Sequence, residues 1–294
     1  MTQGEILVTP IKCQGKKTRL IPFIRENIHW DGRGRWIEPF LGSGAVVFNI
    51  KPQHALLIDR NEHVINFYRG IQQGRITPAS VRAFLEKHGE KLRKGGSDYY
   101  LEMREAFNKS HAPLHFLFLN RAGFNGLIRF NRQGNLNVPF CKNPDRFSRA
   151  YVTKICNQVQ DAADVLHGRD WIFHTGRWQL AFEDAERGDY IYLDPPYIGR
   201  NTNYVGEWPA AEAVLLAEAA HKTPANVCLS MWKCDEFKRN EHLYQYWQDF
   251  HWYTQDYHYF VGGPMERRHN VTEMLAIKNV SAQAACSEST ECQI

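Results

Sequence analysis

The sequence predicts an α/β protein whose parallel sheet is interrupted once by a mainly helical insert. Three observations carry that reading. Short apolar runs ending in glycine-rich or acidic turns alternate with helical spacing near the N-terminus; residues 70–108 change to charged, helix-favouring text; and the strand and helix alternation returns after residue 150. A length of 294 residues, with 43% hydrophobic and 23% charged side chains, suits one large domain carrying a smaller insert. Collagenous and disordered classes are excluded by the same composition, and no apolar stretch reaches the roughly 18 residues that a membrane helix needs.

The elements follow in order. Trp36 to Phe40 is an apolar run that enters the turn Gly42-Ser43-Gly44, and Ala45 to Asn49 reads as the start of a helix. Ala55 to Ile58, ending at Asp59, is a second buried strand, and His63 to Tyr68 resumes helical spacing. Within the insert, Gly95-Gly96-Ser97 breaks the helix, and Tyr99, Met103 and Phe107 share one face. His115 to Leu119 is a compact apolar run; Asn120 to Gly134, rich in Asn, Gly and Arg, reads as a loop and hairpin. Ile155, Val159 and Val165 mark a further helix. Strands are expected at Trp171–His174, Tyr190–Leu193, Val227–Met231 and Val271–Ile277, with a helix over Ala210–His221 and a mobile tail over 281–294.

Charge is unevenly placed. The whole chain carries only +4, yet residues 63–149 hold 15 Lys and Arg against 6 Asp and Glu, a local +9 that leaves −5 elsewhere. Such a block attracts phosphate backbones or is a solvated basic surface. The seven cysteines are scattered without a Cys-x-x-Cys pair, which argues against a disulfide framework or a zinc site and fits a reducing cytoplasm.

Four segments could carry chemistry. Glu38-Pro39-Phe40-Leu41-Gly42-Ser43-Gly44 stands where a strand hands over to a helix, so its glycines either let a ligand approach the backbone or form a tight turn alone. Asp59, at the end of the second strand, either accepts from ribose hydroxyls or caps the helix after Asn61. In Asp194-Pro195-Pro196-Tyr197 two prolines force extended backbone and remove two donors, so acceptors remain. The Asp194 carboxylate and the Pro195 carbonyl can receive an exocyclic amino group while Tyr197 stacks on a flat base; the alternative is an incidental turn. Lys12 to Thr18 lacks P-loop spacing and serves cofactor and phosphate contact or is a flexible basic arm. Arg and Asn in the 120–134 segment suit base edges and Phe124 could wedge into a base stack, unless the segment is a solvated hairpin.

Taken together and in this order, the Lys12 segment, Glu38 to Gly44, Asp59-x-Asn61, Tyr99 to Asn108, Asn120 to Phe140 and Asp194 to Tyr197 resemble the Dam-type family of DNA adenine-N6 methyltransferases. The resemblance implies a Rossmann-like S-adenosylmethionine-dependent methyltransferase fold with an inserted, mainly helical target-recognition domain. Its boundaries would be 1–62 and 150–280 for the catalytic part and 63–149 for DNA recognition. It implies S-adenosylmethionine in a site lined by Cys13, Lys17, Glu38, Pro39, Phe40, Gly42, Gly44, Asp59 and Asp194, and chemistry at Asp194, Pro195, Pro196 and Tyr197, with no metal. Double-stranded DNA is the implied partner, with Phe124 intercalating, Asn125, Leu127 and Arg129 near base edges, Arg104, Asn131 and Pro139 at phosphates, and Lys12 by an outer base pair. No membrane is involved, a monomer suffices, and a cognate restriction endonuclease acting on the same site would need no stable complex with it. The sequence departs from Dam itself at Cys13, where Dam has a tryptophan, and at Phe124, which replaces a tyrosine of Dam, keeping the ring and losing the hydroxyl.

Within the family, Pro10 to Gly15, Phe116 to Arg121, Val138 to Lys142 and Tyr197 to Arg200 are worded most like EcoRV-type modification enzymes. That favours GATATC over GATC as the target, both beginning with GAT. An RNA or protein-glutamine methyltransferase would reuse the same cofactor fold and an Asp/Asn-Pro-Pro-Tyr site; the basic insert with a wedge aromatic discriminates against the glutamine substrate. A regulator that had lost catalysis would show damage at Asp194, Tyr197 or the glycine turn, and none is seen.

Overall fold

The computed structural model describes residues 5–15, 17–198, 208–258 and 270–279. The chain enters as an extended arm pinned at Leu7, whose amide donates to Asn49 Oδ1 at 2.9 Å while the Asn49 amide returns a bond to the Leu7 carbonyl. A 3-10 turn at Lys17–Leu20 leads into α1 (Ile21–Asn27), which has Pro22 in its first turn. Then come β1 (Trp36–Glu38), α2 (Val47–Ile50), β2 (His54–Asp59) and α3 (Glu62–Gln72), capped by the Asn61 side chain. The long α4 (Pro78–Ser110) opens with a Thr77 and Ser80 capping box and is broken at Gly96, where φ is 52°. After α5 (Pro113–Ala122), an irregular segment leads to α6 (Arg149–Leu166) and β3 (Asp170–Thr175). The remainder is α7 (Leu180–Glu183), β4 (Tyr190–Leu193), α8 (Ala210–Lys222), β5 (Asn226–Asp235), α9 (Glu241–Tyr246), β6 (His251–His258) and β7 (Asn270–Lys278).

The seven strands form one sheet in the order β3-β2-β1-β4-β5-β7-β6. β1 to β5 run parallel, and β7 inserts antiparallel between β5 and β6. Strand order reverses between β1 and β4, so the helices leaving these strands diverge and open a crevice at their carboxyl ends, where α/β sheets bind ligands. Period-two alternation splits the core. Trp36, Leu57, Tyr190, Tyr192, Cys228 and Leu275 face one layer with α1 and α3 to α6. Ile37, Ile191, Leu193, Val227, Leu229 and Met274 face the other with α8 and α9. Trp36 stacks on Tyr190 at 5.2 Å, which knits β1 to β4 just behind the crevice.

Several elements differ from the sequence expectation. β1 stops at Glu38, since Pro39 cannot donate to a ladder. Asn120 and Arg121 form the last turn of α5 and are buried instead of lying in a loop. Their polar groups find partners on the arm: Asn120 exchanges two 2.8 Å bonds with the Lys12 backbone, and Arg121 donates to the Pro10 carbonyl. The hairpin is confined to Arg129–Asn137, where the Asn137 amide bonds the Arg129 carbonyl at 3.0 Å. α3 covers the sheet, with Arg69 and Gln72 donating to the Phe173 and Trp171 carbonyls of β3. Among the described residues no helix is long and apolar enough to cross a membrane, and the five described cysteines form no disulfide. The expected tail at 281–294 lies outside the described residues.

Candidate active site

Gly42 and Gly44 occupy left-handed backbone, with φ of 51° and 69°, because the chain must turn from β1 into α2 within a few residues. They serve different ends. A Cβ on Gly44 would lie 2.9 Å from the Phe48 ring, so this glycine permits close packing. A Cβ on Gly42 would meet only Cys13 Sγ at 3.8 Å, so this glycine borders open space between the turn and the arm.

Asp59 fastens the turn to β2. Its Oδ2 accepts from the Gly42 amide and its Oδ1 from the Asn61 amide, both at 2.8 Å. Burial raises its pKa and these two donors oppose the shift. Glu38 ends β1, is 2% exposed and accepts from Trp36 Nε1 at 2.8 Å. Burial pushes its carboxyl up to about 8, with nearby Asp194 adding to the rise. Pro39 is buried beside it, and half-buried Phe40 meets the Trp208 ring edge-on at 5.5 Å.

At the carboxyl end of β4 the chain turns through Asp194, buried Pro195, half-buried Pro196 and Tyr197. Lys17, 4% exposed, reaches it from the arm and places Nζ 2.8 Å from Asp194 Oδ1. The same ammonium donates to Tyr197 Oη at 2.7 Å and lies 4.6 Å from the centre of its ring. Tyr197 Oη in turn donates to Glu273 Oε2 at 2.8 Å. Burial works against the Lys17 charge, but Asp194, Glu273 and Tyr192 outweigh it and hold its pKa above the ordinary lysine value. Burial also raises the Asp194 carboxyl, which Lys17 partly offsets. Lys17, Asp194 at the end of β4, Tyr197 and Glu273 of β7 thus form one network in which, among the described residues, two acids face one lysine.

Glu273 is absent from the residues singled out in the sequence. The signal was there: a charged residue inside the apolar run Val271–Ile277, in a strand covered on both faces.

Most of the residues expected near DNA lie on the segment after α5, with Arg104 on α4 and Lys12 on the arm. Phe124 is 49% exposed, Asn125 is exposed with φ of 52°, and Pro139 is exposed with its carbonyl taking the Phe124 amide at 2.9 Å. Leu127 is buried in the core below them. Arg129 bonds Asn137, Asn131 Oδ1 accepts the Gln133 and Asn135 amides, and Arg104 donates to the Val138 carbonyl, so these three brace the hairpin. Lys12 connects the two regions: its backbone is clamped to Asn120, its side chain packs under Gly126, and the next residue, Cys13, borders the glycine turn. Gly199 and Arg200 fall outside the described residues.

Residues 14–259 match the family described as D12 class N6 adenine-specific DNA methyltransferase. The chain is 32% identical over 228 residues to a DNA adenine methylase of Vibrio cholerae, covering 72% of this chain and 76% of that one. It is 29% identical over 197 residues to the type II methyltransferase M1.LlaDCHI of Lactococcus lactis subsp. cremoris, covering 64% of each. A DNA N-6-adenine-methyltransferase of Escherichia phage P1 is 37% identical over 169 residues, 55% of this chain and 21% of that one.

Proposed function

The chain belongs to the D12 class of N6 adenine-specific DNA methyltransferases, and from that premise we propose that it methylates an extruded adenine in a duplex site beginning GAT, at the Asp194 to Tyr197 corner. The observation that carries this reading is the Lys17, Asp194, Tyr197 and Glu273 network, set at the carboxyl end of β4 beside the Gly42 turn.

The residues present fit S-adenosylmethionine. Glu38, Asp59 and Asp194 bring acidic side chains to the ends of three neighbouring parallel strands, acceptors that suit a ligand carrying an ammonium and a sulfonium. The open side of Gly42, facing Cys13, gives such a molecule backbone to approach. Glu38, Pro39, Phe40, Gly42, Gly44, Asp59, Cys13 and Lys17 would hold it. When bound, it supplies an electrophilic methyl group on a positively charged sulfur.

The protein contributes position and charge. Tyr197 stacks on the flipped base while the Asp194 carboxylate and the Pro195 carbonyl accept the two N6 hydrogens, which aims the nitrogen lone pair at the methyl group. N6 gains positive charge as its bond to the methyl carbon forms and the carbon–sulfur bond breaks, the electron pair leaving with sulfur as a neutral thioether. Acceptors already fixed beside N6 thus stabilise the transition state without rearranging, and the surplus N6 proton then passes to water. An ionised carboxylate offers about four lone-pair positions, and Lys17 engages the Oδ1 side of Asp194, so acceptor capacity remains for the base. Lys17 offsets part of the cost that burial places on the Asp194 carboxylate.

Residues 63–149 form the DNA face, with Phe124 as the wedge and Asn125 and Pro139 beside it at the surface. Buried Leu127 supports that loop from below. The likeness of four segments to EcoRV-type enzymes supports GATATC over GATC, and a cognate nuclease for the same site would act without a lasting complex. The test is incubation of the protein with labelled S-adenosylmethionine and duplexes carrying GATATC, GATC or neither, followed by nucleoside analysis. Label on N6-methyladenine in the GATATC duplex is expected. Equal labelling of all three removes the target proposal, and label on cytosine removes the base assignment.

A further inference from the structure

Glu273 lies in the middle of β7, opposite Trp232 of β5 and Gln255 of β6, and is 1% exposed. A carboxylate in such a place is costly unless it is paired, because neighbouring strands and two helical layers keep water away. One partner is the Tyr197 hydroxyl at 2.8 Å, and its charge also acts on Lys17. Nothing in packing alone calls for an acid between Thr272 and Met274.

The geometry points to Glu273 as a positioning residue that fixes the Tyr197 ring and shares Lys17 with Asp194; this rests on the reading that Tyr197 stacks on the target adenine. Two bonds meet at the Tyr197 hydroxyl, one donated by Lys17 at 2.7 Å and one given to Glu273. They come from the N-terminal arm and from β7, on different parts of the chain, so together they hold the far end of the ring against swinging and set the plane offered to the base. Lys17 also lies 4.6 Å from the ring centre, which adds a contact along one side.

The second effect is on charge. Lys17 is the cation between Asp194 and Glu273. With Glu273 present its field is divided, and Asp194 keeps its strength as an acceptor. Without Glu273 the Tyr197 proton turns to another acceptor, and Lys17 pairs with Asp194 alone, weakening its hold on an incoming amino group. Glu273 touches neither the base nor the methyl group in this scheme; it acts through Tyr197 and Lys17.

The test compares wild type, Glu273→Gln, Tyr197→Phe and the double variant in the full chain, because Gln keeps the size and an acceptor oxygen while removing the charge. Single-turnover methylation, cofactor affinity and the fluorescence of 2-aminopurine at the target position are measured, with thermal unfolding as the folding control. Glu273→Gln is expected to slow methyl transfer by about 10- to 100-fold, the size expected when a charged hydrogen bond is lost. Cofactor affinity should change by less than about threefold, and the 2-aminopurine signal should rise as stacking on Tyr197 loosens. In the Tyr197→Phe background the same substitution should cost several-fold less than in wild type, since the contact through the hydroxyl is already gone and only the effect through Lys17 remains. A Glu273→Gln protein that methylates adenine as fast as wild type, or a cost as large in the Phe background as in wild type, overturns the positioning role and leaves the adenine reading standing. Wild type that places no label on adenine removes both.

Discussion

Glu38 offers the most quantitative test of the site's electrostatics. It is 2% exposed at the end of β1, and burial, with Asp194 adding and Trp36 and the Val47 amide opposing, moves its carboxyl from 4.5 to about 8. Between those two values the folded protein retains a proton that the unfolded chain has released. The folded pKa is the higher one, so Glu38 favours the folded state most below about pH 4.5, and that contribution drains away as pH rises to about 8 and is gone above it. Each unit of difference corresponds to about 1.36 kcal/mol, so the full window amounts to something on the order of 5 kcal/mol, and the two units that lie between pH 6 and pH 8 to about 3 kcal/mol.

Glu38→Gln removes the titration while keeping a carbonyl that can accept from Trp36 Nε1. Urea unfolding of wild type and variant, without cofactor, at pH 6, 7, 8 and 9 gives the comparison. The other titrating groups are common to both proteins and, apart from Asp194, to which Glu38 is coupled, cancel in the difference. The variant should gain about 3 kcal/mol relative to wild type between pH 6 and pH 9, with most of the change complete by pH 8. A difference that stays constant within roughly 0.5 kcal/mol, about the scatter for independent sites, would refute a raised carboxyl at this position.

Four further substitutions separate the roles assigned above. Asp194→Ala should lower methyl transfer by about 10²- to 10³-fold, the range seen when a preorganised polar group is removed, with duplex affinity in a filter or anisotropy assay nearly unchanged; retained turnover would show that another group accepts N6. Gly44→Ala puts a Cβ 2.9 Å from the Phe48 ring at φ 69° and should cost about 2–4 kcal/mol in urea unfolding. By contrast Gly42→Ala meets only Cys13 Sγ at 3.8 Å, so it should cost about 1–2 kcal/mol of stability but weaken cofactor binding by calorimetry; the opposite ranking would reverse the two assignments. Phe124→Ala removes a side chain that is 49% exposed, so stability should move by less than about 1 kcal/mol while the 2-aminopurine signal of base extrusion falls; an unaltered signal would rule out the wedge.

How much of this was legible depends on where each residue finds its partners. β2, β4 and β5 read as apolar runs because helices cover both faces of the sheet, which removes any need for polar side chains on the strand. β6 escaped notice since it is an edge strand, His-Trp-Tyr-Thr-Gln-Asp-Tyr-His, whose Trp252 and Tyr253 pack on opposite faces and erase the alternation. Asn120 and Arg121 looked like loop residues because their partners, the Pro10 and Lys12 backbone, lie more than a hundred positions away. The glycine turn and the Asp194 corner were visible as local wording, since a left-handed turn and a proline-stiffened strand end each demand particular residues in consecutive places. Glu273 demanded nothing of its neighbours in sequence; its reason lies in Tyr197 and Lys17, which only the sheet brings to it. An acid inside an otherwise apolar strand therefore carries information of its own kind: the strand tolerates the burial because a distant polar group repairs it, and at the carboxyl end of a switch-point sheet that group belongs to the site.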